Sequence, residues 1–171
     1  YNIDLKVPVI IRYPNQENRG VKTDGMIELV DLFPSICELA GIDVPDYLQG
    51  TSFVPLTTNP ELNWKHATFS QFHRRPKVSA DGKRYMGYSI NTKKYHLISW
   101  YGWDSETGTR GDFKSNELYD KEFDRFETQN LADRLDMRDV IIKLSNQLSE
   151  GWRKALPEYT AQNLIYTDSK K

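Results

Sequence analysis

The sequence has one cysteine in 171 residues, so no disulfide can close within the chain. Cys37 falls among Ile36, Leu39 and Ala40 at helical spacing, which predicts a buried apolar thiol rather than a nucleophile. A long apolar run is lacking as well. The longest, Val7 to Ile11, is broken by Pro8, whereas a membrane-spanning helix needs ~20 apolar residues. Nor is there an excess of one charge. With 23 Lys and Arg against 24 Asp and Glu, the net charge is -1, which gives no global field for drawing in nucleic acid or an anionic membrane. An acidic ligand must therefore be held by a local basic patch. His66, His73 and His96 stand singly, without metal-ligand spacing, which argues against zinc. Gly102, Gly108 and Gly111 follow no strand-to-helix pattern, so no phosphate-cradling loop is read. The chain opens on Tyr1 rather than Met and shows no signal peptide, so this end does not give the compartment.

Aromatic residues, by contrast, are plentiful. Ten Tyr, seven Phe and four Trp, with 38% hydrophobic residues overall, are far more than a disordered tail carries. Val7 to Tyr13 is a β-branched run closed by Pro14 and Asn15, which predicts a buried strand. Leu29, Leu32, Phe33, Ile36, Leu39 and Ala40 recur at three and four, predicting a helix over Asp31 to Ala40 with Asp31 as its cap, Pro34 in its first turn and Gly41 as its stop. Prolines and Gly50 then mark an irregular connection from Ile42 to Pro60. Four strand-like runs follow, Ala67 to Phe72, Tyr85 to Asn91, Tyr95 to Tyr101 and Glu117 to Tyr119, with a hairpin turn at Asn91 to Lys94. Met137, Val140, Ile141, Leu144, Leu148 and Trp152 form one stripe, predicting a helix over Asp136 to Leu156 packed across that sheet. The expected class is α/β, with residues 1–60 as the end of a large α/β domain and residues 61–171 as a small subdomain of antiparallel sheet plus helix. A lone buried strand needs neighbours on both sides, so the front segment is expected to belong to a larger sheet outside this sequence.

The strings V-P-V-I-I-R-Y-P, L-V-D-L-F-P-S-I-C-E-L-A-G-I and L-Q-G-T-S-F-V-P-L resemble the sulfatase family of the alkaline-phosphatase-like superfamily. F-S-Q-F-H-R-R-P, M-G-Y-S-I, E-L-Y-D and Q-N-L-A-D look like its small C-terminal subdomain, and S-Q-F-H-R with M-G-Y-S-I is similar to the iduronate-2-sulfatase branch. The resemblance covers about Val7 to Asp133 and implies hydrolysis of a sulfate ester, on a sulfated uronate or related glycosaminoglycan sugar, outside the cytoplasm. It also implies a formylglycine nucleophile made from a C-x-P-S-R or S-x-P-x-R segment, a calcium ion held by carboxylates, and an N-terminal sulfatase domain as partner. Neither segment occurs here, and Cys37, followed by Glu38, Leu39 and Ala40, does not match. No catalytic or metal residue is therefore assigned. A non-catalytic carbohydrate-binding module and a phosphoester or phosphonate hydrolase of the same superfamily remain as alternatives.

The chemistry left to this chain is the basic cluster His73, Arg74, Arg75 and Lys77, expected to bind the anionic sugar, with Lys83 and Arg84 read as solvated. Arg74 matches the arginine after S-Q-[FY]-x in the iduronate-2-sulfatase pattern, where it either meets substrate or pins the subdomain to the large domain. Its planar guanidinium suits sulfate and carboxylate oxygens. Trp100, Tyr101 and Trp103 are read as packing, and Asp120, Asp124 and Glu127 as a solvated, salt-bridged turn beside Lys121 and Arg125.

Overall fold

The computed structural model describes residues 1–75 and 78–158. Contacts divide it into two units. One holds Tyr1–Val7 and Phe69–Lys154, and the other holds Pro8–Thr68 and the segment from Ala155. A single helical turn, α1 (Asn2–Leu5), opens the first.

In the second unit a 3₁₀ turn, Leu29–Asp31, runs directly into α2 (Leu32–Leu39). Pro34 falls in the first turn of α2, where an N–H has no intrahelical partner to lose. Gly41, at φ +67°, ends the helix, and Cys37 is buried as its spacing predicts. Asp31, expected to cap this helix, does not do so. Its fully buried carboxylate reaches back to the Glu28 N–H at 2.8 Å and across to the Thr51 N–H at 2.8 Å. Both its oxygens also take the Lys65 ammonium at 2.8 Å, and Lys65 meets Glu28 at 2.9 Å. Ser35 donates its hydroxyl to the Asp31 carbonyl at 2.6 Å and accepts the Phe53 N–H at 2.9 Å. A Cβ on Gly50 would lie 1.9 Å from the Val30 carbonyl oxygen, so only glycine fits there. The D-x-x-P-S and Q-G-T-S strings thus clamp a loop to a helix. Behind the clamp, Phe53, Leu56 and Trp64 form a core with Ile11, Ile27, Leu32 and Leu62, and α3 (Val54–Thr58) contributes Leu56.

Val7 to Tyr13 corrects an expectation, because no strand forms there. Ile10 is 94% exposed. High β propensity does not make a strand without a neighbour to pair its N–H and C=O groups, and none of the four described strands pairs with it.

The first unit is built on an antiparallel sheet in the order β1 (Ala67–His73), β2 (Tyr85–Thr92), β3 (Tyr95–Asp104), β4 (Thr109–Asp120). Ile90, Leu97 and Leu118 line up across β2, β3 and β4 in one fully buried row, and α4 (Arg138–Glu150) packs on β2 and β3 with Leu144 buried. The helix is shorter than the expected Asp136 to Leu156. Gly151 takes φ +83° and closes it with an N–H bond to the Gln147 carbonyl at 3.2 Å, after which Trp152–Ala155 is 3₁₀. The sheet with its helices is the α/β arrangement expected. Among the described residues, no helix is long and apolar enough to cross a membrane.

Candidate functional site

β1 is a terminal strand of the sheet, and its last residues open into the loop that leads to β2. The Arg74 N–H bonds the Tyr85 carbonyl at 3.0 Å, which fixes the backbone where the basic cluster begins. The Ser70 and Ser89 hydroxyls meet at 2.6 Å, so they share one face of the sheet. Ser89 pairs with Ile98 in register and Gly87 with Trp100, which puts Trp100 on that face too. Arg74, four residues after Ser70, lies with its guanidinium 5.7 Å from the Trp100 ring centroid. The indole lies close over Gly87, where a Cβ would come within 2.9 Å of it.

Trp100 is held by more than packing. Its indole N–H donates to Glu117 at 2.8 Å, and the other Glu117 oxygen accepts the Tyr119 hydroxyl at 2.7 Å. Burial, and then this bond to a carboxylate, pushes the Tyr119 phenol pKa far up, so it stays a neutral donor. Trp100, Tyr85, Ile98 and Tyr119 form one buried cluster, as the packing expectation for Trp100 requires. At its rim the Tyr85 hydroxyl donates to Asp81 at 2.6 Å, which lowers the Asp81 carboxyl pKa and raises that of the Tyr85 phenol. The Lys114 ammonium sits 5.5 Å from the Tyr85 ring.

Of the residues expected to bind an anion, His73 stacks edge-on with Trp103 at 5.7 Å and Arg75 lies 5.9 Å from the Phe72 ring. His73, Arg74 and Arg75 are all exposed, and among the described residues neither arginine side chain makes a hydrogen bond or ion pair. Lys77 lies outside the described residues. Lys83 and Arg84 are exposed, and with Trp103 and Asp104 they border a shallow recess. Each free arginine therefore offers five N–H donors from a position backed by an aromatic ring.

The 120–127 segment differs from its expected solvated turn. Asp124 accepts the Gln129 and Thr128 N–H groups at 2.7 and 2.6 Å, which lowers its carboxyl pKa. Glu127, by contrast, is buried, and its carboxylate meets His96 Nδ1 at 2.8 Å. His96 Nε2 is buried without a hydrogen-bond partner among the described residues. Lys121 bonds Asn91 and the Thr92 carbonyl at the β2–β3 turn, and its burial lowers the ammonium pKa. Neither the His96 pair nor Lys121 could be read from the sequence, since the contacts join residues 31 and 29 or more positions apart.

The described residues do not fit a calcium site. No group of three or more His, Cys, Asp or Glu converges among them, and the buried Asp31 carboxylate is already occupied by Lys65. Hard cations need several free oxygens.

Comparison with known proteins gives the family behind this fold and its cationic edge, and the chain belongs to the sulfatases. Its residues 1–154 match the family described as N-sulphoglucosamine sulphohydrolase, C-terminal. It is 25% identical over 96% of its length to an ulvan-active sulfatase of Formosa agariphila, covering 36% of that protein. It is 29% identical over 74% of its length to an N-acetylglucosamine-6-O-sulfatase of Bacteroides thetaiotaomicron, covering 21% of it. Rat arylsulfatase K is 25% identical over 86% of the chain. A solved structure of a protein in complex with its substrate D-glucosamine-2-N,6-O-disulfate superposes with a TM-score of 0.65 and 27% identity, over 82% of this chain and 27% of that one. The chain thus spans roughly a third or less of the length of these relatives and is similar to their sulfatase C-terminal part. They support sulfate ester hydrolysis as the family's chemistry and do not single out the iduronate-2-sulfatase branch.

Proposed function

We propose that this chain is the C-terminal part of a sulfatase acting on a sulfated sugar, and that His73 at the end of β1, with Arg74 and Arg75 after it and Lys77 further along the sequence, binds the anionic groups of that sugar. The nucleophile and the calcium would come from the N-terminal sulfatase domain, and the working enzyme would lie outside the cytoplasm. The observation that carries this assignment is Arg74. Its guanidinium rests 5.7 Å from an indole that is itself fixed by Glu117, and its donors are uncommitted among the described residues. A cation so placed recognises a sulfate or carboxylate without first breaking an internal pair. A sugar sulfate of the glucosamine or uronate type fits, given the substrates named for the relatives.

The test is kinetic, on the full-length enzyme. Arg74→Lys keeps the charge but loses the two-pronged donor, so kcat/KM on a sugar sulfate should fall about tenfold, or ~1.4 kcal/mol, with the melting temperature unchanged. A matching loss of melting temperature would instead make Arg74 a residue that pins the subdomain, and unchanged kinetics in Arg74→Ala would remove it from substrate binding altogether.

A further inference from the structure

Trp100 and Tyr101 are consecutive on β3 and so project to opposite faces of the sheet. The face away from Arg74 carries a second arrangement of rings and cation. Tyr88 pairs with Ser99 in register, which puts it on the same face as Tyr101, and the two rings meet edge-on at 5.8 Å. Phe113 of β4 pairs with Tyr101 and meets it edge-on at 5.6 Å. The register shifts on either side of Tyr101 bring Arg110 onto the same group. Its guanidinium lies 4.7 Å from the Tyr101 centroid and 5.8 Å from that of Tyr88.

Two features mark this group as a recognition surface. Arg110 is exposed, and among the described residues its guanidinium makes no hydrogen bond or ion pair, so stacking has oriented the fork and left its edge free. Phe113 is 56% exposed beside it, a bare ring next to a bare cation. Sulfated sugars carry apolar C–H faces flanked by anionic oxygens, which is the complement of a ring beside a free guanidinium.

We propose that Tyr88, Tyr101, Arg110 and Phe113 form a second contact for a sulfated glycan, engaging sugar units remote from the ester being cleaved. This inference rests on the sugar-sulfatase assignment above and adds a dependence on chain length. Because the two cations sit on opposite faces of the sheet, one sugar unit cannot touch both, whereas a chain passing round the sheet can. Loss of Arg110 should therefore weaken long ligands and spare short ones.

The experiment compares full-length wild type, Arg110→Ala, Arg110→Lys and Phe113→Ala. Each is assayed for hydrolysis of glucosamine 6-O-sulfate and of a heparin-derived octasaccharide, and for equilibrium binding of that octasaccharide and its desulfated counterpart. Arg110→Ala should weaken octasaccharide binding about tenfold and raise KM for it, with kcat and the monosaccharide kinetics unchanged. Arg110→Lys, which keeps a cation over the rings, should fall between, and Phe113→Ala should weaken both octasaccharides alike. Unchanged octasaccharide binding in Arg110→Ala overturns the proposal. So does an equal effect on both substrates, or a lowered melting temperature with binding intact, which would make the cluster a packing surface. If wild type hydrolyses neither sugar, the substrate assignment fails by itself, and the binding comparison still decides Arg110.

Discussion

Asp31→Asn changes a single atom at the clamp between α2 and the loop at Thr51. The wild-type carboxylate is fully buried and accepts two backbone N–H groups and both contacts from Lys65, all at 2.8 Å. Asparagine keeps one oxygen and turns an NH₂ group toward what had been a donor. Lys65, 4% exposed, then retains Glu28 at 2.9 Å but loses the partner at the centre of its site. Breaking a buried pair from one side costs about 3 to 5 kcal/mol. With a urea m-value of about 2 kcal/mol/M, the midpoint should fall by roughly 1.5 to 2.5 M with m unchanged. Trp64, buried in the same unit, reports the transition by fluorescence. In the double variant Asp31→Asn, Lys65→Met the buried ammonium is gone, so much of that loss should be recovered. A loss below about 0.5 kcal/mol for Asp31→Asn, the range of a surface change, would refute the assignment of Asp31 as the keystone of this clamp.

Gly50→Ala forces a Cβ to within 1.9 Å of the Val30 carbonyl oxygen, so thermal unfolding should show destabilisation of about 1 to 3 kcal/mol or more as the loop moves away. Glu127→Ala leaves His96 Nδ1 buried beside an Nε2 that already lacks a partner among the described residues, and should cost about 1 to 3 kcal/mol by denaturant titration, with Glu127→Gln retaining part of it. Asp124 has a folded pKa below its unfolded one, so its contribution is complete above about pH 4 and is lost as pH falls through the lowered folded value. Asp124→Ala should therefore lower stability at neutral pH and flatten its decline below about pH 4. An unaltered acid limb in circular dichroism would count against that role.

Helix α2 and the middle strands were legible because their signals are local. Ile36 to Ala40 carries a helical period, and Tyr85 to Tyr101 is rich in β-branched and aromatic residues around a polar turn. β4 was recognised only at Glu117–Tyr119. Its first half, Thr109 to Lys114, is exposed and polar apart from Phe113, and pairing with β3 makes it a strand where alternation does not. Val7–Tyr13 failed in the opposite sense, having the composition of a strand without a partner. Lys65 and Glu127 look like surface charges in sequence, and only the fold brings Asp31 and His96 to them. His73 ends β1 and Arg74 and Arg75 follow it directly, all exposed, as the local sequence suggests, whereas Trp100 beneath Arg74 and the stack on Arg110 depend on register and bulges.

The position of the arginines at the end of β1 bears on how this protein can change. A terminal strand presents unpaired backbone groups that another chain can join, and positive charge along such an edge discourages that joining. Phe72, 56% exposed on β1, would otherwise leave a sticky stretch. Under the proposed function Arg74 and Arg75 would have two tasks, and substitutions that retune them for a less anionic ligand would also unguard the edge. Variants selected for a neutral sugar at this site should aggregate more readily unless a compensating Lys or Pro appears along β1, so specificity and solubility are expected to evolve together here.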